Sequence, residues 1–180
     1  MRVLPLLCFA LLACCATAAL AAPRRIILGP PASEVGFRAY GLGLLPIDAR
    51  FPRFTGSLTY DPDDHAVCRV DLSIDVASLV ADDPSMRDTM LGPGFMDAAH
   101  FPSLIYTGTC QGQGLVGMLG MHGITRPFQL SLTWSREKVV AEGQLRRADW
   151  GMTAMPILAG RMVRIRVAVP LPAAIPAAGN

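Results

Sequence analysis

Three histidines, a knot of aspartates and two late cysteines are the residues of this 180-residue chain whose types could do chemistry. His65, His100 and His122 are far apart, and no two stand in the His-x-x-x-His spacing that sets two imidazoles on one helical face for zinc. There is no Gly-x-Ser-x-Gly elbow to raise a nucleophilic serine. His65 follows the turn Asp61-Pro62-Asp63-Asp64 and reads as solvated. His100 precedes Phe101-Pro102 and reads as a residue that fixes that turn. His122 lies in a glycine-rich corner, where its ring is expected to bond backbone. Asp61, Asp63 and Asp64 resemble part of a calcium loop, but the glycine and closing glutamate of such a loop are missing, so a solvated hairpin turn is expected. No catalytic residue and no metal site is assigned, and a binding protein is expected rather than an enzyme.

The cysteines speak to compartment. Met1-Arg2 begins with a cation, Val3 to Leu12 is apolar, and Ala13 to Ala22 is dominated by small residues. That is the anatomy of a secretory signal peptide over 1–21, with Ala19-Leu20-Ala21 as the cleavage site. A competing reading takes Leu11-Leu12-Ala13-Cys14 as a lipoprotein box with Cys14 acylated. Export to the periplasm leaves Cys68 and Cys110, which have no Cys-x-x-Cys partner for zinc or redox work. They can form one disulfide or stay as two buried thiols. The net charge of +2 gives no electrostatic argument for nucleic acid. Lys138 is the sole lysine among 16 basic residues, which hints at a GC-rich bacterial genome.

The elements that must position any site alternate with period two. Cys68, Val70, Leu72, Ile74 and Val76 are apolar and the residues between them polar, as in a strand with one buried and one wet face. Phe128 to Trp134 and Val163 to Val169 repeat this, with shorter versions at Phe54 to Tyr60, Leu104 to Cys110, Leu115 to Met121 and Val139 to Leu145. Wet outer faces indicate an antiparallel sheet. Arg146-Arg147, Arg161, Arg164 and Arg166 read as outer-face positions. One segment breaks the pattern near 84–98: Asp83 can cap a helix with Pro84 at its first position and Gly92 past its end. An all-β barrel of about eight strands with this helical insertion is expected over 26–171, with a tail at 172–180. If the 66–76 and 103–110 strands pair antiparallel, Cys68 meets Cys110, both facing inward.

Several stretches resemble the YceI family of exported, lipocalin-like barrels associated with polyisoprenoid binding. They are Ser33-Glu34-Val35-Gly36-Phe37, Phe51-Pro52-Arg53-Phe54-Thr55-Gly56, and Met86-Arg87-Asp88 with Phe95-Met96-Asp97 and Phe101-Pro102. The Gly117 to Pro127 string resembles a G-x-L-x-x-H-G-x-T-x-P pattern, and Asp149-Trp150-Gly151-Met152 an aromatic-Gly-Met element. The chain departs from the family at Ala32 and near Tyr40, where it often has His, and at Ala49, where it has Gly.

The resemblance implies a tunnel that accepts an isoprenoid chain, such as a quinone or polyprenyl lipid. Such a site needs inward apolar side chains and a mouth, with no cofactor beyond the bound lipid. The candidates are Phe37, Phe54, Leu58, Leu72, Ile74, Met86, Met90, Phe95, Tyr106, Leu119, Phe128, Leu130, Trp134, Trp150, Met152, Ile165 and Val167. The helical segment, with Met86, Met90 and Phe95, suits a flexible lid. Arg87 with Asp88 is a candidate for a polar head group or a surface ion pair. Expected partners are an apolar lipid, a membrane surface for lipid exchange and a second copy in a homodimer. The alternative function is an envelope interaction or stress-related barrel without a specific small ligand.

Overall fold

Period-two alternation is realised as one antiparallel sheet in the computed structural model, which describes residues 22–42 and 44–172. The expected signal peptide, the Cys14 anchor and the tail after Pro172 lie outside the described residues. The strands are β1 (Arg24–Leu28), β2 (Glu34–Gly41), β3 (Leu45–Arg50), β4 (Phe54–Tyr60), β5 (Cys68–Asp75), β6 (Val80–Ala81), β7 (Ser103–Gln111), β8 (Gly114–Met121), β9 (Ile124–Trp134), β10 (Lys138–Arg146) and β11 (Met162–Pro170). One helix, α1 (Pro84–Leu91), carries the expected Asp83 cap, whose carboxylate accepts from the Ser85 amide. The strand order is β1-β4-β5-β7-β8-β9-β10-β11-β2-β3-β6.

Eleven strands replace the eight expected among the described residues. The additional ones are β1, β3 and β6. β1 is short and starts with two arginines, β3 carries Pro46, and β6 has two residues, so none shows a clean alternation. Their pairing comes from position in the sheet. β6 matters most, because it brings the two ends of the sheet order together. The chain leaves β5 through a 3-10 turn, Val76–Ser78, and pairs at β6 with β3. Val76 and Leu79 beside that turn are fully buried, and the Ser78 hydroxyl donates to the Asp75 carbonyl at 2.6 Å. The sheet therefore curls into a barrel around one apolar core.

Two glycines of the resembling motifs permit the tight curl. A Cβ at Gly56 would collide with the Asp71 carbonyl on β5, and one at Gly117 with the Thr107 carbonyl on β7. Any side chain there would push neighbouring strands apart.

The registers define two ends. At one stand Tyr60, Cys68, Cys110 and Trp134, with the β4–β5, β7–β8 and β9–β10 turns. Cys68 and Cys110 form a disulfide there with Cα atoms 4.9 Å apart, across the β5–β7 pairing. At the other end stand the β2–β3 hairpin, the β10–β11 loop and α1.

Exposed ion pairs join adjacent strands. Arg38 on β2 donates to Asp48 on β3 at 2.7 Å, and Arg53 to Asp75 at 2.8 Å. Each arginine, through its hydrogen bond, holds its aspartate below the ordinary value of 3.8. A depressed folded-state pKa stabilises the fold above the unfolded value and is lost as pH falls through the folded one. Urea midpoints should thus be insensitive to these pairs from pH 7 to 5 and fall below about pH 4. Asp48→Asn with Asp75→Asn should flatten that acid limb, and only slightly because both pairs are solvated. An unchanged acid limb would contradict this.

Candidate functional site

Inward-facing side chains of the curled sheet leave a cavity of about 510 Å³ inside the barrel. That lies within the roughly 300–1,000 Å³ typical of small-molecule sites. Its floor and walls come from the sheet, including Leu72, Ile74, Tyr106, Leu119, Phe128, Leu130, Ile165 and Val167. Met86 and Met90 of α1 and Phe95 beyond it cover one side of the mouth, and Phe37 and Met152 line the wall. These are thirteen of the residues that the sequence put forward for such a space, brought together by six strands, the helical insertion and the β10–β11 loop.

The other four lie elsewhere. Phe54 and Leu58 are buried on β4 but do not reach the cavity. Trp150 sits behind the wall, edge-on to Phe128 at 6.1 Å, and its indole N–H donates to the Leu119 carbonyl. Trp134 is at the opposite end, with Tyr60 and a stacked His65 ring 4.2 Å away. Alternation assigns a face; it does not assign a depth along the barrel.

The wall is almost free of polar groups. The Tyr106 hydroxyl donates to the carbonyls of Leu115 and Phe128, both at 3.2 Å, and burial pushes its pKa up to about 12. It is neutral and already partnered.

Arg147 is the exception, and it corrects the outer-face reading. It is 6% exposed and lines the cavity. Its Nε donates to the Gly160 carbonyl and one terminal nitrogen to that of Met152, both at 2.9 Å. The other reaches the carbonyls of Met155 and Ala159 at 3.4 and 3.3 Å. The guanidinium lies 5.2 Å over the Phe95 ring. Burial holds its pKa below the ordinary arginine value. One cation thus pins the β10–β11 loop beside the mouth. The missed signal was parity: β10 buries Val139, Ala141 and Leu145, so position 147 is next to point inward. Arg161, Arg164 and Arg166 are exposed as expected.

A family model described as a YceI-like domain matches residues 28–171. The chain belongs to the YceI-like family. Among curated relatives, a UPF0312 protein of Vibrio vulnificus strain YJ016 is 27% identical over 105 residues, covering 55% of this chain and 56% of that protein. One of Photorhabdus laumondii is 28% identical over 121 residues, covering 64% and 63%. The chain thus spans little more than half the length of the curated relatives it matches. Among solved structures, Burkholderia cenocepacia BcnA superposes with a TM-score of 0.65 at 18% identity, covering 78% of this chain and 96% of that one. A polyisoprenoid binding domain from Saccharophagus degradans gives 0.54 at 14% identity, covering 76% and 91%. These likenesses show a shared fold.

In this YceI-like barrel several other polar residues that the sequence put forward have structural partners. Arg87 donates to the carbonyls of Leu79 and Ala77 and pairs with Asp88, tying α1 to the β5–β6 turn. The His100 ring bonds the Asp97 carboxylate at 2.9 Å, fixing the turn as expected. Asp61 accepts from the Asp63 amide in the expected hairpin turn. His65 is exposed as expected and also stacks on Trp134, since a flat ring covers an aromatic face better than water does. One histidine reading needs correction. His122 holds a positive φ of 52° before Gly123 in the two-residue β8–β9 turn. Its ring packs on Phe101 with a buried Nε2 that has no partner, rather than bonding backbone.

Proposed function

We propose that this YceI-like protein binds an isoprenoid or similarly long apolar chain, of quinone or polyprenyl type, inside the barrel and carries it in the periplasm between membrane surfaces. The observation that carries this is the cavity: about 510 Å³, walled by apolar side chains and open at one end. Burial gives about 0.8 kcal/mol per methylene, so each five-carbon unit supplies several kcal/mol before the costs of binding. No directed polar contact is needed. The described fold shared with a polyisoprenoid binding domain of Saccharophagus degradans supports the same reading, and the leader supports export. A barrel serving only as an interaction module has no use for an interior left hollow.

Native mass spectrometry of protein purified from a periplasm tests it. A stoichiometric extra mass of several hundred daltons, extractable into organic solvent, is expected. Protein that is repeatedly empty and also refuses added quinone and polyprenyl lipid would sink the reading.

A further inference from the structure

The apolar surface of this molecule does not stop at the cavity wall. Leu42, Leu44 and Leu45 on the β2–β3 hairpin are exposed, and so are Met155, Ile157 and Leu158 on the β10–β11 loop. Leu44 is 84% exposed and Ile157 87%, so neither is held in place by packing. The two tips form one unit. The Leu42 amide donates to the Leu158 carbonyl at 2.7 Å, and the Gly160 amide to that of Tyr40 at 2.6 Å. Leu42, Leu45, Met155 and Leu158 also line the cavity, so the exposed patch runs over the rim into the interior without a polar break. Isolated exposed leucines are ordinary; a contiguous patch at a cavity mouth marks a contact surface.

Charge selects the partner. From Ala39 to Ile47 and from Gly151 to Met162 there is no carboxylate, and Arg161 is the only charged residue. Arg164, three residues further along on β11, lies 5.9 Å over the Tyr40 ring. Among the described residues neither arginine has an ion-pair partner. Two carboxylates near α1 are engaged, Asp83 as its cap and Asp88 with Arg87, which leaves the exposed Asp82 before the helix. Apolar tips backed by arginines and a tyrosine suit the boundary between acyl chains and anionic headgroups. Six side chains are few beside the roughly 20–30 residues per side of a stable protein interface.

We infer that the joined tips of the β2–β3 hairpin and the β10–β11 loop dock this protein on an anionic lipid bilayer, with Leu44 and Ile157 inserted and the cavity mouth facing the membrane. This rests on the proposed reading of the cavity as a lipid site, and names how that site meets its source. A ligand leaving the bilayer would then cross apolar surface throughout.

The test is vesicle flotation with phosphatidylcholine vesicles, with and without phosphatidylglycerol, and free of isoprenoid. Wild-type protein should float with the anionic vesicles and be released by raised salt. Leu44→Asp with Ile157→Asp should weaken this at least tenfold, with circular dichroism and capture of a polyprenol in detergent unchanged, because neither side chain lines the cavity. Wild-type protein that floats with neither vesicle, or a variant that floats as well as wild type, overturns the inference. So does a wild-type dimer that the two substitutions split while vesicles go unbound, which would assign the rim to a second copy. Vesicle binding that persists when no polyprenol is captured supports the rim and removes only the reading of the cavity.

Discussion

Replacing Arg147 with methionine is expected to lower the free energy of unfolding by about 3–5 kcal/mol and to release the β10–β11 loop. Methionine keeps much of the apolar stem, so the change isolates the guanidinium. Two of its bonds, to the carbonyls of Gly160 and Met152, are short at 2.9 Å. Hydrogen bonds from a charged donor contribute roughly 1.5–3 kcal/mol each, and the abandoned carbonyls keep their desolvation cost unless the loop opens to water. The two weaker contacts, to Met155 and Ala159, add to the sum. Arg147→Lys is expected to recover little, since an ammonium cannot reach four carbonyls with the planar fork that a guanidinium presents. Urea unfolding gives the energy, and hydrogen exchange gives the location. Amides from Met152 to Gly160 should lose protection selectively, and affinity for an apolar chain should fall with them because Met152 and Met155 line the cavity. A methionine variant as stable as wild type, with that loop still protected, would show that the carbonyls are satisfied in some other way.

How much of this was legible beforehand depends on the range of the signal. Alternation at Cys68–Ile74 and Phe128–Trp134 is local and strong, and it placed those strands and their inner faces. Given antiparallel pairing of those two strands, it also set Cys68 opposite Cys110, while leaving a disulfide and two buried thiols equally open; the structure joins them. The Asp83 cap and the Gly92 stop are equally local. Three kinds of feature were not legible. β3 and β6 are strands because of what they pair with, and β3 contains a proline that local propensity counts against it. Depth along the barrel separates Leu130 from Trp134, which share one face of β9 but lie at the cavity and at the far end. Arg147 was hidden by its type: a charge is expected outside unless partners are in view, and its partners are carbonyls of a loop whose path no pattern announces. Hollowness belongs with these, since the same inward residues could as well have met across the axis.

Shortening the cavity from its floor should separate ligands by length. Val167 on β11 faces Val35 on β2, one inward pair further from the mouth than Ile165 and Phe37, and both valines line the cavity. Val167→Trp fills that region with an indole. A chain long enough to reach it loses the burial of about one five-carbon unit, worth about 3 kcal/mol once imperfect packing is discounted. That corresponds to about a 100-fold rise in Kd. A chain shorter by one unit never reaches the floor and should bind both proteins alike. The measurement is a competition series with prenyl alcohols of increasing length against wild type and Val167→Trp, with Val167→Phe as a smaller plug of intermediate effect. Stability serves as a control, because overpacking alone would weaken every ligand together. Equal losses at all lengths would mean general distortion, and no loss at any length would mean that the apolar chain does not extend to this floor. A length-dependent loss ties affinity to the depth of the cavity, which is what burial of an apolar tail in a closed-bottomed barrel requires.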